Sequence, residues 1–449
     1  MSDQLELPEL PAAQAPAPPA PLPAAARRLH TAARTQVELV PRSLDEAVPA
    51  DHPARALWAL LERLDLEAFY ADVRAALDGP GRPASDPRVL LGLWLLATLD
   101  GVGSARKLDR LCREHDAYRW LRGGVPVNYH LLSNFRVAHP AALEALLTQT
   151  VAVLLHQGLA TLATVAQDGV RVRAGAGSSS FRRRATLEAC HAAARAQVAR
   201  LAADRERPDP GVSRRQQRAR ERAARERAAR LEQALAELPR AEAMKDRQRR
   251  KLPKERRAKV PEARVSITDP AARVLKMADG GFRPAYNVQV ATDQASRAVL
   301  AVQVHATSSD GGLAAPLATQ VATRCGRDPD TYLIDGGLAD RDDIATLAGR
   351  GVTVYAPPKE PQAPTSGRTI TDPRPDDRPA VAAWRARMGT AEARAVYRQR
   401  GALAEWTNAQ WRLRHGLQQF RVRGLAKVTS ATLLVAVTHN LLRWLALGA

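Results

Sequence analysis

The chain has 449 residues, which is enough for two or three domains, and it contains 67 Lys and Arg against 47 Asp and Glu. The net charge of +20 and the pI of about 10.8 predict a polyanionic partner, although a solvated basic surface would give the same composition. Aromatic residues make up 4% of the chain, which argues against single-strand binding through a broad stacking platform.

The cysteines and the apolar segments bear on the compartment. The three cysteines are scattered and form no pair at metal-ligand spacing, which is typical of a protein in a reducing cytoplasm. No stretch approaches the ~18 apolar residues of a membrane span; the best runs from Val89 to Leu99. The N-terminus lacks the charged and then apolar pattern of a signal sequence. We therefore expect a cytoplasmic protein without a membrane partner.

The first third of the chain changes from low complexity to helical periodicity. Residues 8–26 are rich in Pro and Ala, so we predict a disordered tail over 1–45. From about Asp51 apolar residues recur at helical spacing, and Ser104 is a suitable N-cap for a short basic helix. Short helices joined by Gly turns favour a helix-turn-helix-like DNA-binding domain over 46–155. A helical scaffold without DNA contacts is the alternative.

Strand-like composition begins at Leu162 and is soon followed by a basic segment. Residues 181–260 contain 25 Lys and Arg against 11 Asp and Glu, and two apolar seams flank the helix breaker RPDPG. We predict an inserted antiparallel helical hairpin, whose excess charge favours a nucleic-acid surface over a merely solvated face. The residues predicted to contact DNA here are Arg182, Arg183, Arg184, Arg214, Arg215 and Arg218.

Strand patterns resume in YNVQVAT and AVLAVQVHA and then alternate with helices as far as VTVYAPP. The Pro-rich segment 357–379 is predicted to be a loop, and two helices finish the chain. This order predicts an α/β domain over 156–449, in which a mixed sheet is flanked by helices.

Three acidic residues occur where a stiff element would hold a metal-binding carboxylate. Asp168 ends an apolar run in TVAQDGVRV, Asp335 ends the strand pattern TYLIDGG, and Glu405 lies in a predicted helix. Each aspartate is placed at a strand end and is followed by Gly, where the backbone is predicted to turn away. With this strand order the first and fourth strands can be neighbours, so the two aspartates would be close. Three converging carboxylates would hold two hard divalent cations. For any one of them alone, an ordinary surface carboxylate is the alternative.

The helix of Glu405 carries further polar residues. Asn408 lies one turn later and Arg412 two turns later, while Tyr397 and Arg400 precede it by eight and five residues. Guanidinium groups match phosphate oxygens, so Arg400 and Arg412 are predicted to bind DNA phosphates. Tyr397 and Asn408 belong to the same predicted DNA-contacting set.

Other acids and motifs compete less well. Asp310 follows a strand and is the most credible substitute in the triad, whereas Asp279 precedes a strand and favours a turn. GVGSARK lacks the spacing of a phosphate-binding loop, and GAGSSS lacks the third Gly of a dinucleotide fingerprint. Neither HExxH nor a cysteine–histidine zinc pattern occurs in the sequence.

Several of these segments together carry a family resemblance. VAQDGVRVRAGAGSSSFRRR, KMADGGFRPAYNVQVATD, YLIDGG, AEWTNAQ and FRVRGLAKV resemble the DDE transposases of bacterial insertion sequences, over nearly everything from Asp51 onward. The resemblance implies a ribonuclease H-like core with Mg²⁺ or Mn²⁺ as cofactor. It implies that Asp168, Asp335 and Glu405 are the metal ligands. In related transposases the Tyr and Arg often lie seven and four residues before the Glu, one residue nearer than Tyr397 and Arg400.

The sequence thus predicts a transposase that cleaves terminal inverted repeats and transfers strands to target DNA, with two metal ions and a homodimer on double-stranded DNA. A metal-dependent nuclease without strand transfer is a second hypothesis, and a DNA-binding remnant without catalysis is a third. An RNA-binding helical protein would explain the charge, but not the strand-end acids.

Overall fold

The computed structural model describes residues 35–37, 41–75, 83–204, 212–250, 252–358 and 369–448. Most of the tail predicted over 1–45 therefore lies outside the described residues. Seven described helices precede the first strand: α1 (Pro53–Glu62), α2 (Glu67–Tyr70), α3 (Pro87–Leu99), α4 (Ala105–Glu114), α5 (Asp116–Arg122), α6 (Tyr129–Ala138) and α7 (Pro140–His156).

Capping side chains and prolines set where these helices begin. Asp86, Ser104 and Asn128 each precede a helix and accept a hydrogen bond from a backbone N–H of its first turn. Pro53 and Pro87 occupy first-turn positions, where the missing N–H costs nothing. The N-cap predicted at Ser104 is confirmed.

A six-stranded mixed sheet follows. Its strands are β1 (Thr164–Arg173), β4 (Arg273–Lys276), β5 (Phe282–Asp293), β6 (Val299–His305), β7 (Thr331–Leu333) and β8 (Thr353–Tyr355). β5 pairs antiparallel with β1 on one side and with β4 and β6 on the other, whereas β1, β7 and β8 run parallel. The first and fourth predicted strands, β1 and β7, are thus neighbours. This topology confirms the predicted ribonuclease H-like α/β fold.

The basic segment between β1 and β4 is the predicted helical hairpin. It consists of α8 (Arg184–Ala203), α9 (Arg214–Arg250) and the short α10 (Lys254–Arg257). The buried residues along its seam are Leu187, Ala194, Leu231, Ala234, Leu238 and Ala241. At its base β2 (Phe181–Arg182) pairs antiparallel with β3 (Val265–Ser266). We call residues 181–266 the arm; its predicted RPDPG break lies outside the described residues.

Helices cover both faces of the large sheet. They are α11 (Ala314–Cys325), α12 (Arg341–Gly349), α13 (Pro379–Met388), α14 (Ala391–Ala409) and α15 (Leu425–Leu447). Alternation along the strands divides the faces: Val165 and Tyr332 share a buried cluster with α11 to α13, whereas Ala166 and Leu333 contact Leu403 of α14. Side chains of β1 that share a face with Ala166 therefore point toward α14.

The N-terminal helices and the sheet share one hydrophobic core around α15. Residues of α1 to α7, of β1, β5 and β6 and of α15 belong to the same buried cluster. Asn440 of α15 exchanges two hydrogen bonds with the backbone of Val299 and donates a third to Thr150 of α7. Residues 44–449 accordingly form one compact unit.

α15 is also, in the described part of the chain, the one single helix whose length and apolar composition would suit a membrane span. It has 23 residues, and its most apolar 18-residue window has a mean hydropathy of 1.3, but 67% of that window is buried inside the protein. The helix pair α6 and α7 meets the same test only if it is taken as one span, and it is bent by 68°. The burial of α15 marks it as a core helix.

Candidate active site

Asp168 lies within β1 and points toward α14. Its Oδ1 accepts a hydrogen bond from Arg400 Nη2 at 2.7 Å, and its Oδ2 accepts one from Asn408 Nδ2 at 2.7 Å. The sequence pattern placed Asp168 at a strand end, with a glycine where the chain turns away, and that detail is wrong. β1 continues to Arg173, because its residues pair with β5 beyond the aspartate.

Gly169 has a different function from the predicted turn. A Cβ atom built on Gly169 would lie 2.5 Å from Gln289 Nε2 and 3.2 Å from Asn287 Oδ1. The missing side chain therefore leaves room for polar groups that pack on the face of β1 opposite Asp168.

Asp335 lies just after β7, the parallel neighbour of β1. Its Oδ1 accepts a hydrogen bond from the backbone N–H of Leu338 at 2.8 Å, which holds the carboxylate in the turn. A Cβ on Gly337 would lie 3.1 Å from the same oxygen, so the glycine lets the turn close around it. A strand end and a turn thus fix this carboxylate.

The register of β1 and β7 brings the two aspartates near each other, because Ala166 pairs with Leu333 and each aspartate follows two residues later. Burial raises the pKa of Asp168, the positive charge of Arg400 opposes that rise, and the negative charges of Asp335 and Asp310 add to it. Burial likewise raises the pKa of Tyr397, which also feels the charges of Arg400, Asp335 and Asp168. Arg400 and Asn408 thus contact Asp168, and Asp335 follows the strand that pairs with β1.

Glu405 is the member of the predicted triad that stands apart. It is exposed on α14, and its carboxylate forms no hydrogen bond or ion pair with another described residue. A Cβ on Gly401, one turn earlier, would lie 4.0 Å from Glu405 Oε1. Among the described residues, no three His, Cys, Asp or Glu side chains are grouped so that they could hold a metal ion.

Arg412 lies beyond the end of α14. The α-helix ends at Ala409 and continues as a π-helical turn, Gln410–Arg414, in which Trp411 is fully buried and Arg412 is exposed. The sequence pattern predicts a regular helix through Arg412. The structure instead has a wider, π-helical turn at this point. That turn coincides with the burial of the Trp411 ring.

The competing aspartates have other partners. Asp310 accepts hydrogen bonds from Arg171, Asn287 and Gln289. Asp279 accepts from the Gly281 backbone and from Arg283 in the turn between β4 and β5, so the turn predicted for it is confirmed.

Sequence reasoning missed a polar layer on the face of β1 opposite Asp168. Gln167 Nε2 donates to Gln289 Oε1 at 2.9 Å, and Tyr332 donates to Gln167 Oε1 at 2.9 Å. Gln167, Asn287 and Gln289 are completely buried. The signal was present in YNVQV, where two amides alternate with apolar residues in a strand.

The predicted DNA-contacting arginines of the arm fall into two groups. Arg183 pairs with Glu262 at 3.2 Å, Arg184 pairs with Glu242 at 2.8 Å, and Arg182 bonds to backbone carbonyls. By contrast, the exposed residues Arg214, Arg215 and Arg218 at the start of α9 have no ion-pair partner in the described part of the arm. These three line an open concavity together with Ala219 and Arg222.

Comparison with known proteins adds two family matches. Residues 42–138, which include α1 to α6, match the family described as Transposase domain (DUF772). Residues 363–445 match the family described as Transposase DDE domain, and this segment includes Arg400, Glu405 and Asn408. Searches of curated proteins and of solved structures found no match. Asp168 and Asp335 lie between the two matched segments.

Proposed function

We propose that this chain, which its two domain matches identify as a DDE transposase, cleaves DNA at the ends of an insertion sequence and joins those ends to target DNA. The observation that carries the proposal is the approach of Asp168 on β1 and Asp335 after β7. β1 and β7 are parallel neighbours in which Ala166 pairs with Leu333, so Asp168 and Asp335 occupy equivalent positions two residues later. Like charges repel, so a pair of this kind is stable when cations accompany it.

The three predicted ligands suit a divalent cation, and two of them are already held in place. Asp168, Asp335 and Glu405 offer carboxylate oxygens, the ligands that Mg²⁺ and Mn²⁺ prefer. The two aspartates are already fixed by β1 and by the turn after β7, whereas exposed Glu405 would complete the set from α14. Two bound ions would activate the attacking oxygen and stabilise the leaving oxygen of a phosphodiester.

The protein's own groups would then position the reactants. Asn408 donates a hydrogen bond to one oxygen of Asp168, and Tyr397 and Arg400 lie beside the same carboxylate. The exposed arginines at the start of α9 would contact phosphates along duplex DNA. Water and later a DNA 3′-hydroxyl would attack, so no covalent protein–DNA intermediate forms.

The test is incubation of the protein with duplexes that carry the element's ends and Mg²⁺, followed by mapping of the cut positions. Asp168→Asn, Asp335→Asn and Glu405→Gln should each lower cleavage by at least about 100-fold, as is usual when a catalytic group is lost. DNA affinity should be nearly unchanged.

Asp330→Asn and Glu392→Gln are matched controls, because both carboxylates are exposed on the same elements or next to them. Cleavage at the wild-type rate in Asp335→Asn would contradict the proposal. Added supercoiled target DNA then separates a transposase from a nuclease that cannot join ends, and intact DNA throughout would indicate a binding remnant.

A further inference from the structure

Each oxygen of the Asp168 carboxylate accepts a hydrogen bond from the same helix. Arg400 Nη2 and Asn408 Nδ2 each donate to a different carboxylate oxygen at 2.7 Å. The side chains of Asp168 and Arg400 are 22% and 15% exposed, so water screens this ion pair only weakly. A divalent cation that binds Asp168 would therefore meet a carboxylate that already has a positive partner.

Arg400 is itself incompletely satisfied in this position. Its Nε is buried and has no hydrogen-bond partner within the described ranges. A guanidinium group normally grips a carboxylate or phosphate through two parallel N–H donors, whereas the bond to Asp168 comes from Nη2. Leaving a buried donor unpaired costs free energy, which favours movement of this side chain when a better acceptor arrives.

We propose that Arg400 is an internal counterion that occupies Asp168 until a divalent cation displaces it, and that Asn408 holds the other carboxylate oxygen in both states. The inference rests on the proposed function, in which Asp168 is a metal ligand. Arg400 competes with the cation because both need the same oxygen. Asn408 is a positioning residue, because its neutral amide restricts rotation of the carboxylate without opposing the cation's charge.

The experiment measures Mn²⁺ binding by calorimetry in the full-length protein, without DNA and without any activity assay. Arg400→Met should lower the apparent dissociation constant for Mn²⁺ by about tenfold, or ~1.4 kcal/mol, because the competing charge is gone. Asn408→Leu should raise that constant severalfold. Arg398→Met is the matched control: Arg398 lies on the same helix, is exposed, and should leave the constant unchanged.

The outcomes separate this inference from the proposed function. If Asp168→Asn abolishes Mn²⁺ binding but Arg400→Met leaves it unchanged or weaker, the counterion inference is overturned and the metal site remains. If Asp168→Asn leaves Mn²⁺ binding intact, both proposals fall.

A second measurement covers the case in which Arg400→Met is too unstable for calorimetry. The double variant Asp168→Asn/Arg400→Met leaves neither charge unpaired, so it should fold and should unfold in chelator at a higher temperature than Arg400→Met. A double variant that is no more stable than Arg400→Met would show that Arg400 does not act through Asp168, and the inference would be overturned.

Discussion

At the scale of single residues, the environment of Asp168 depends on both faces of β1. One face presents the carboxylate to Arg400 and Asn408, and the other packs against Gln289 through the gap left by Gly169. Successive side chains of a strand point to opposite faces, so a change at Gly169 acts on Asp168 through the backbone they share.

Gly169→Ala tests this dependence. The new methyl group would lie 2.5 Å from Gln289 Nε2, so the buried amide must move, and overpacking of this kind costs roughly 1–3 kcal/mol. We expect urea unfolding to show that loss, together with reduced cleavage. Gly349→Ala in α12 is the control, because nothing lies within 4 Å of its added Cβ. Equal stability of the two variants would contradict the role given to Gly169.

A buried histidine on α15 predicts a pH dependence of stability. Burial lowers the pKa of His439 from 6.5 to about 3, although the carbonyl of Arg297, which its Nε2 contacts at 2.9 Å, opposes that shift. His415, whose pKa burial lowers to about 4, and Arg443 lower it further. In the unfolded chain the imidazole takes up a proton near pH 6.5, whereas in the folded protein it stays neutral to much lower pH.

Acid therefore destabilises the folded protein, because between pH 6.5 and about 3 the unfolded chain is protonated at His439 and the folded protein is not. The contribution of the buried His439 to the free energy of unfolding is fully present above about pH 6.5. It is lost as the pH falls toward 3, with a slope of about 1.4 kcal/mol per pH unit. In urea unfolding at pH 7.5, 6.5 and 5.5, the free energy of unfolding should fall less steeply with pH in His439→Gln than in the wild type. Exposed His156→Gln is the control and should keep the wild-type slope.

At the scale of elements, the arm separates paired from unpaired arginines. Replacing Arg214, Arg215, Arg218 and Arg222 with Gln should flatten the plot of log affinity for duplex DNA against log salt. Each lost phosphate contact accounts for about 0.9 of slope, so we expect a change of roughly one to three units. Affinity should fall equally for terminal-repeat and random duplexes, because phosphates carry little sequence information.

The ion-paired arginines of the arm supply the control. Arg184 and Arg240 form ion pairs with Glu242 and Glu237, so Gln at these positions should change the slope less. An unchanged slope in the four-residue variant would mean that the start of α9 does not bind DNA. A loss confined to terminal-repeat DNA would mean that it reads sequence.

The elements also show how far the sequence could lead. Local patterns single out Asp168 and Asp335, although β1 continues past Asp168 instead of ending there. The topology follows from local patterns as well: apolar strands, and two seams of apolar residues in the arm. The partners of Asp168 do not, because Arg400 and Asn408 are 232 and 240 residues away and nothing local specifies which donor meets which oxygen. The π-helical turn after α14 has the same origin, since it coincides with burial of Trp411 in a tertiary core.

At the scale of the whole molecule, α15 joins the N-terminal helices to the sheet. Asn440→Leu would leave the N–H and C=O of Val299 unpaired in the core, at a cost of about 2–4 kcal/mol for two buried groups. Because residues 44–449 form one compact unit, far-ultraviolet dichroism and tryptophan fluorescence should report one shared transition at lower urea. The control is Lys427→Ala, because Lys427 is exposed on the same helix; it should leave the urea midpoint of unfolding unchanged. Two separate unfolding transitions would contradict a core shared by the N-terminal helices and the sheet.

The small sheet at the base of the arm has a consequence for how such a protein can evolve. β2 and β3 bring residues 181 and 266 together, and the hydroxyls of Ser180 and Ser266 lie 2.7 Å apart. Everything between them can therefore lengthen or shorten by whole helical turns while β1 and β5 keep their register. Descendants of one ancestor could thus reach phosphates at different distances along a duplex while they inherit the same carboxylates unchanged.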